Sequence, residues 1–233
     1  MIEVTGEEIL RLKTKLPPIQ EALNKFNNPL TREFVREALE KAPDRFWLDP
    51  CTKSEEYHPP FDRVVPGGII NHALVCTYFV ERGIQRYPEF AYQEMHPDHH
   101  WPITKPDPRW LDLARVAAML HDIVKCGIPW GKHTVKNHGH LGAEFLSTLP
   151  TFQLLDPDDQ SWILVGVRWH MGRWEEGFEQ LSSLHWGNGL DALEEWGGFS
   201  PFELLIQEVD YYSTRTQVRV AGFELINYEC DEA

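Results

Sequence analysis

The sequence predicts an all-α fold: a helical bundle with an N-terminal helical extension and a short C-terminal hairpin. Patterns that start helices recur along the chain, and the apolar residues after them follow the three- and four-residue spacing of amphipathic helices. Of the 233 residues, 42% are apolar and 12% aromatic, which allows a sizeable core and argues against disorder. Residues 218–230 alternate weakly between apolar and polar, a pattern typical of a hairpin.

The N-terminal part is predicted to be helical up to a proline-rich stretch. Thr5 and Glu8 have the spacing of a capping box, so a helix should begin there. This helix should end before Pro17, because proline removes a backbone hydrogen bond from a helix interior. The remaining segments of this part are two further helices and an irregular stretch, at 19–26, 31–41 and 43–66.

The central part contains the most apolar helix. A helix should begin after Gly68 and fade near Arg86. Residues 110–125 are apolar on nearly all sides, which predicts the helix most enclosed by others, and Gly127 should end it. The other segments are helices at 139–149, 156–170 and 200–217, a Pro- and His-rich loop at 88–109 that forms either a lid or a surface insertion, and a loop at 171–198. We divide the chain into an N-terminal helical extension packed on the core, the core itself and a tail, at 1–65, 66–217 and 218–233.

Composition excludes several environments and partners. A formal net charge of −14 argues against binding long duplex DNA, but leaves room for a small phosphorylated ligand held by local positive charge or a metal ion. No apolar run approaches the ~18 residues of a membrane span, and the acidic N-terminus does not resemble a signal peptide. We expect a cytoplasmic protein, because its widely spaced cysteines are typical of isolated thiols in a reducing compartment rather than of disulfides or a Cys-based zinc site. The cysteines are Cys51, Cys76, Cys126 and Cys230.

One pair of polar residues interrupts the apolar helix at 110–125. His121 and Asp122 lie near its end, and burying an imidazole beside a carboxylate is costly unless they are paired or bind a metal. The side chains of adjacent helical residues point about 100° apart. One metal ion can therefore bind both His121 and Asp122 only at the helix end; alternatively, Asp122 bridges two metal ions. Imidazole and carboxylate ligands suit Mn, Fe, Co, Ni or Zn, with Mg at the oxygen-rich end. A single His is more often a surface or hydrogen-bonded residue, so His72 as a core histidine and Asp210 as a surface carboxylate stay open alternatives.

The ordered set of these residues resembles the HD-domain superfamily of metal-dependent phosphohydrolases. Its pattern is a His on one helix, a His-Asp pair on the next, optional further histidines and an Asp on a late helix. The resemblance covers residues 66–216, and its segments are GGIINHALV, AMLHDIVKCGIP, HGHLGAEFL, VGVRWHMGRW and EVDYYSTR.

The resemblance implies an all-helical fold around one or two divalent metal ions. Carried over, it implies that the first metal is held by His72, His121, Asp122 and Asp210, and the second by His138 and His170 with Asp122 bridging. This resembles the dinuclear branch that includes the HD-GYP cyclic-dinucleotide phosphodiesterases. No GYP motif follows His170, so we do not expect cyclic-dinucleotide specificity. Rival histidines are His140, which competes with His138, and the lower-ranked His99, His100 and His133.

Basic residues near these segments are candidates for binding phosphate. Lys125 matches the lysine of the family's HDxxK segment, and in the family this lysine is associated with phosphate binding. An equally good alternative is that its positive charge only stabilises the C-terminal end of the helix through the helix dipole. Arg173 is a better candidate than Arg168 or Lys132, since it follows His170 in a Gly-containing loop; all three could instead be solvated. Tryptophans that could stack on a base, or more often pack a loop, are Trp169, Trp174, Trp186 and Trp196.

We therefore expect a phosphohydrolase that uses a metal-activated water on a phosphate ester, in a nucleotide or a short nucleic-acid end. Asp122 and Lys125 are the residues that we expect at the chemical step. Two alternatives remain: an HD-fold diiron oxygenase with the same six ligands, and a non-catalytic nucleotide-binding regulatory protein.

Overall fold

The computed structural model describes residues 2–52, 67–95, 102–127, 134–172, 199–215 and 223–225. Its described part is dominated by α-helices, which confirms the predicted all-α class. None of the described helices combines the length and the apolar character that crossing a bilayer requires.

The N-terminal residues form four helices. Thr5 caps the first helix, and the predicted capping box with Glu8 is present. The second and third helices begin at Pro17 and Pro29, each two residues earlier than predicted, because proline suits the first turn of a helix, where no backbone N–H is needed. The stretch predicted as irregular after residue 43 includes one more short helix. The elements are β1 (Ile2–Val4), α1 (Gly6–Leu12), a 3-10 turn (Lys13–Lys15), α2 (Pro17–Asn24), α3 (Pro29–Lys41) and α4 (Asp44–Leu48).

In the rest of the described chain, five helices complete the bundle. They are α5 (Gly68–Gly83), α6 (Pro108–Leu120), α7 (His138–Ser147), α8 (Pro157–Arg168) and α9 (Pro201–Arg215). Helix α5 packs between α6 and α9, and α8 packs against both α7 and α6. Buried apolar side chains from Ile9 to Val209 form one cluster, which is shared by the N-terminal helices and these five.

Helix α6 is shorter than predicted. The prediction of a helix through residue 125 is wrong, since α6 ends at Leu120 and residues 121–127 form successive turns. The backbone N–H groups of Ile123 and Lys125 bond to carbonyls three residues back, which tightens the chain. Gly127 ends these turns with a φ of 79°, a conformation that glycine adopts without strain. His121 therefore lies at the helix end rather than inside the helix.

The stretch at 88–109 is more regular than the predicted loop or lid. A 3-10 turn (Pro88–Phe90) leads into β2 (Ala91–Met95), which pairs antiparallel with β3 (Pro102–Pro106). Two of the five prolines that indicated a loop, Pro102 and Pro106, lie at the two ends of β3, where strands tolerate them.

Most of the predicted C-terminal hairpin lies outside the described residues. Within 218–230 only strand β4 (Phe223–Leu225) is described, and it pairs in parallel with β1. The weak alternation of apolar and polar residues correctly indicated a strand here. It carries no information about which strand pairs with it, and the partner, β1, lies at the opposite end of the sequence.

The N-terminal helices are attached to α6 through a buried carboxylate. Asp112, 2% exposed, accepts hydrogen bonds from the backbone N–H groups of Asn27 and Asn28, at 3.0 and 2.8 Å, and from the Asn27 side chain at 3.0 Å. A carboxylate with several donors is satisfied in a buried position. These bonds attach the turn between α2 and α3 to α6, the helix that directly precedes His121.

Candidate metal centre

Six polar side chains from five places in the chain meet at the centre of the bundle. One lies in α5, two follow the end of α6, one begins α7, one follows α8 and one lies near the end of α9. They are His72, His121, Asp122, His138, His170 and Asp210, the six residues that the sequence analysis selected.

The first half of the cluster joins α5, α6 and α9. His72 Nε2 lies 3.2 Å from His121 Nε2 and 3.0 Å from Asp210 Oδ1. His121 Nε2 is 3.8 Å from the same Asp210 oxygen and 3.4 Å from Asp122 Oδ2. Two imidazoles and two carboxylates therefore face one small volume.

The second half lies on the other side of Asp122. His138 Nε2 is 3.0 Å from His170 Nε2 and 2.9 Å from Asp122 Oδ1. His170 Nε2 lies 3.6 Å from that oxygen. The two oxygens of one carboxylate thus face different pairs of histidines.

Backbone carbonyls set the proton positions of three of the histidines. Nδ1 of His121, His138 and His170 lies 2.8, 2.7 and 2.8 Å from the carbonyl oxygen three residues earlier. A carbonyl only accepts, so each Nδ1 carries the hydrogen, and in the neutral ring Nε2 presents a lone pair. His72 differs, since its Nδ1 lies 3.0 Å from Ser213 Oγ.

This arrangement fits a divalent metal ion. Facing lone pairs at about 3 Å repel unless a cation lies between them, and Asp122 Oδ1 is buried with no hydrogen-bond donor among the described residues. Five of the six side chains are 1–2% exposed, and the side chain of Asp210 is 20% exposed. Imidazole nitrogens with carboxylate oxygens suit first-row transition metals and zinc.

The charges of the cluster keep its carboxylates ionised. Burial raises the pKa of Asp122, but the Lys125 ammonium and His121 hold that pKa well below its usual range. Burial likewise raises the pKa of Asp210, but its contacts with His72 and His121 outweigh burial and hold that pKa below its usual range. Burial lowers the pKa of His170 to about 4, so this ring is neutral at pH 7 and able to bind a metal.

Lys125 belongs to the cluster by contact. Its Nζ lies 2.5 Å from Asp122 Oδ2, and its side chain is only 12% exposed. Burial lowers the pKa of this ammonium, but the charges of Asp122 and the Cys51 sulfur more than reverse the effect and raise it. Lys125 is therefore a charged partner of Asp122. The sequence analysis had considered only phosphate binding and the helix dipole for this residue.

Sequence reasoning missed two cysteines and a serine at this site. Cys51 Sγ lies 3.3 Å from Lys125 Nζ and 4.0 Å from Asp122 Oδ2. Cys76 Sγ lies 3.7 Å from His72 Nε2 and 3.2 Å from Ser213 Oγ. Burial raises the pKa of Cys76 well above its usual range, so it is present as a thiol. Only the one-turn spacing of Cys76 from His72 was a signal in the sequence.

The remaining candidates fall outside the cluster or outside the described residues. His140 packs edge-on against Trp169, with ring centroids 4.8 Å apart, so His138 and not its rival faces Asp122. Arg168 ends α8, and its charge together with burial lowers the pKa of His140. Candidates that lie outside the described residues are Lys132, Arg173, His99, His100, His133, Trp174, Trp186 and Trp196.

Comparison with known proteins identifies the family. No curated protein and no solved structure gives a significant match. The family model described as HD domain matches residues 98–215, about half of the chain. The matched range contains every residue of the cluster except His72. The chain belongs to the HD-domain superfamily, a superfamily of metal-dependent hydrolases.

Proposed function

We propose that this protein is a phosphohydrolase that cleaves a phosphate ester, in a nucleotide or a short nucleic-acid end, with two divalent metal ions. The observation that carries the proposal is the division of the Asp122 carboxylate between two pairs of histidines. A single carboxylate with opposed nitrogen ligands is suited to bridging two ions, which is the arrangement that phosphoryl transfer uses in many two-metal enzymes.

Each half of the cluster would hold one ion. His72, His121 and Asp210 supply three donors on the side of Asp122 Oδ2. His138 and His170 supply two on the side of Asp122 Oδ1. The second set is smaller and all-nitrogen apart from Asp122, so it leaves more positions for water or substrate oxygens.

The chemistry divides between the ions and the chain. Bound divalent ions supply Lewis-acid activation of a water molecule and of a phosphoryl oxygen. In the neutral rings of His121, His138 and His170, the chain holds the hydrogen on Nδ1, so the lone pair that can bind a metal lies on Nε2. Lys125 holds Asp122 in its ionised form, in which both carboxylate oxygens could act as metal ligands.

Positive charge for the phosphate would come from few groups. Lys125 is the described cation in contact with the cluster, and it can interact with a phosphoryl oxygen while it stays beside Asp122. Arg168 is a second candidate, because its Nε is buried without a hydrogen-bond partner among the described residues. Arg173 and Lys132 complete the candidates. The bound ions would offset the acidic charge that the formal count of −14 records.

A metal-by-substrate screen tests the proposal. Full-length protein would be freed of metal, reloaded with Mn, Co, Ni, Zn or Mg, and assayed on phosphodiesters, nucleotides and short oligonucleotide ends. We expect turnover in at least one combination and its loss in Asp122→Ala. The matched control is His140→Ala, which removes an imidazole two residues after His138 on α7 but outside the cluster. Equal trace activity in wild type and Asp122→Ala across the screen contradicts the hydrolase proposal.

The same preparation separates the alternatives. Iron in protein purified without added metal, together with oxygen uptake, would favour the diiron oxygenase. Firm binding of metal and nucleotide without turnover would favour a regulatory protein. The contact of Lys125 with Asp122 supports phosphate chemistry, since an oxygenase has no evident need for a cation at that place.

A further inference from the structure

His72 is the one histidine of the cluster that lies inside a helix. The other three lie at helix ends: His121 caps α6, His138 begins α7, and His170 follows α8. There, each ring bonds a carbonyl three residues back. Within α5 the equivalent carbonyl accepts the N–H of the residue after His72, so it is engaged in the helix. The Nδ1 hydrogen of His72 therefore requires an acceptor from another element.

Ser213 on α9 supplies that acceptor. Its Oγ lies 3.0 Å from His72 Nδ1 and 2.7 Å from the carbonyl oxygen of Asp210. The carbonyl can only accept, so the single hydroxyl hydrogen of Ser213 points to it. The oxygen of Ser213 then faces His72 as an acceptor, and His72 carries its hydrogen on Nδ1.

The second lone pair of Ser213 is also occupied. Cys76, one turn after His72 on α5, donates its thiol hydrogen to Ser213 Oγ at 3.2 Å. Ser213 is 1% exposed, so water does not compete for these bonds. Among the described contacts, this buried hydroxyl thus donates one hydrogen bond and accepts two.

We propose that Ser213 is a positioning residue of the metal centre, which fixes the tautomer and orientation of His72 so that its Nε2 faces the metal. Helix α9 then contacts both ring nitrogens of His72, Nδ1 through Ser213 and Nε2 through Asp210, at 3.0 Å each. Residues 210 and 213 are three apart, so one face of α9 presents both groups. This inference rests on the proposed metal centre and adds to it a residue that the ligand set does not include.

The effect of Ser213→Ala follows from the loss of the acceptor. Without it, the Nε2–H tautomer of His72 is favoured, because Asp210 can accept that hydrogen. A hydrogen on Nε2 occupies the position of the metal and must be displaced. We expect the affinity for the metal in the His72 half to fall 10- to 100-fold, the usual effect of losing such a supporting bond, while the His138 half keeps its affinity.

Two variants separate positioning from folding. Ser213→Thr keeps the hydroxyl and should restore most of the affinity. Thr214 is the matched control, because its Oγ1 donates to the carbonyl three residues back at 2.7 Å, as Ser213 does, without contacting a histidine. Thr214→Ala should change neither metal affinity nor the His72 tautomer. If Ser213→Ala and Thr214→Ala lose the same small amount of stability, that loss reflects only the bond that each hydroxyl donates to the carbonyl three residues back.

The measurements are Mn²⁺ titration calorimetry and the tautomer of His72, both on the full chain. Long-range ¹H–¹⁵N correlation of ¹⁵N-His protein freed of metal gives the tautomer, with His72→Gln to assign the signal. We expect Nδ1–H in wild type and Ser213→Thr, and Nε2–H in Ser213→Ala. An Nδ1–H tautomer and wild-type affinity in Ser213→Ala overturn the proposal. If wild type binds no divalent ion, the metal centre itself fails, and the tautomer in metal-free protein still decides the role of Ser213.

Discussion

His138 Nε2 lies 2.9 Å from one oxygen of Asp122, and the other oxygen of that carboxylate faces His121 Nε2 at 3.4 Å. Asp122 is therefore the one residue that belongs to both halves of the cluster. Its position at the end of α6 makes this possible, since the turn after Leu120 frees the side chain from the helix. Removing Asp122 should therefore affect metal binding in both halves, whereas removing a single histidine should affect only one half.

Metal stoichiometry tests this relationship. We expect wild type to bind two divalent ions, His138→Ala to bind one, and Asp122→Ala to bind neither tightly, because only Asp122 contributes to both halves. Elemental analysis after equilibration with Mn²⁺ measures the numbers. His140→Ala should match wild type. Retention of two ions by Asp122→Ala would contradict a shared carboxylate.

The six residues of the cluster could be selected from sequence because their order on successive helical segments resembles the HD-domain pattern. His121 and Asp122 were informative, since polar residues at the end of an apolar helix need a reason to be there. Cys51 and Ser213 carried no such signal. Cys51 reaches Asp122 across 71 residues, and Ser213 reaches His72 across 141, so only the packing of the helices brings them together.

The fold divides in the same way. The starts of helices could be predicted because they depend on local capping bonds. The side chains of Thr5, Asp156 and Ser200 accept hydrogen bonds from backbone N–H groups two or three residues later. Helix ends were less predictable. The end of α6 is set by tight turns that place His121 and Asp122, and no local rule required the helix to stop at Leu120.

Removing the charge of Lys125 should destabilise the protein without metal. Lys125→Met leaves the buried carboxylate of Asp122 without its closest cation, and breaking such a buried pair costs about 3–5 kcal/mol. A bound divalent ion replaces part of that charge, so the loss should shrink when Mn²⁺ is present. Urea unfolding in chelator and in Mn²⁺ measures both free energies.

Lys41 provides the control for this prediction. It pairs with Glu37 at 2.6 Å, but its side chain is 49% exposed, so Lys41→Met should cost less than about 1 kcal/mol in either condition. A Lys125→Met loss of the same small size, or one that Mn²⁺ does not change, would show that Lys125 is not the charge partner of Asp122.

Close packing at Gly139 supports the His138 half of the cluster. A methyl group on Gly139 would lie 2.5 Å from the carbonyl oxygen of Arg168, and this backbone cannot move without shifting the end of α8 before His170. We expect Gly139→Ala to cost about 1–3 kcal/mol of unfolding free energy and to weaken binding of one metal ion. Gly142→Ala should be milder, since its nearest neighbour is the Val167 side chain at 3.2 Å. Urea unfolding and Mn²⁺ titration of both variants test this difference, and equal stability of the two would contradict it.

Glu203 gives the protein a pH dependence that is independent of the metal centre. Its carboxylate, 4% exposed, accepts hydrogen bonds from Ser200 N and Oγ at 2.8 and 2.7 Å, and its burial outweighs them and raises its pKa. A carboxyl group with a pKa higher in the folded than in the unfolded state stabilises the fold below the unfolded pKa. That contribution is lost as the pH rises through the folded pKa.

Glu203→Gln removes this titration and keeps an oxygen that can accept from Ser200. Relative to wild type, the variant should therefore be more stable at pH 7 than at pH 4. Urea unfolding of both proteins at several pH values between 4 and 8 gives the difference in unfolding free energy. Glu144→Gln, which removes an exposed carboxylate on α7, is the control for losing a carboxylate charge at the surface. A Glu203→Gln difference that stays constant over this range would mean that the hydrogen bonds from Ser200 fully offset burial. A difference that favours wild type increasingly as the pH rises would mean that they outweigh it.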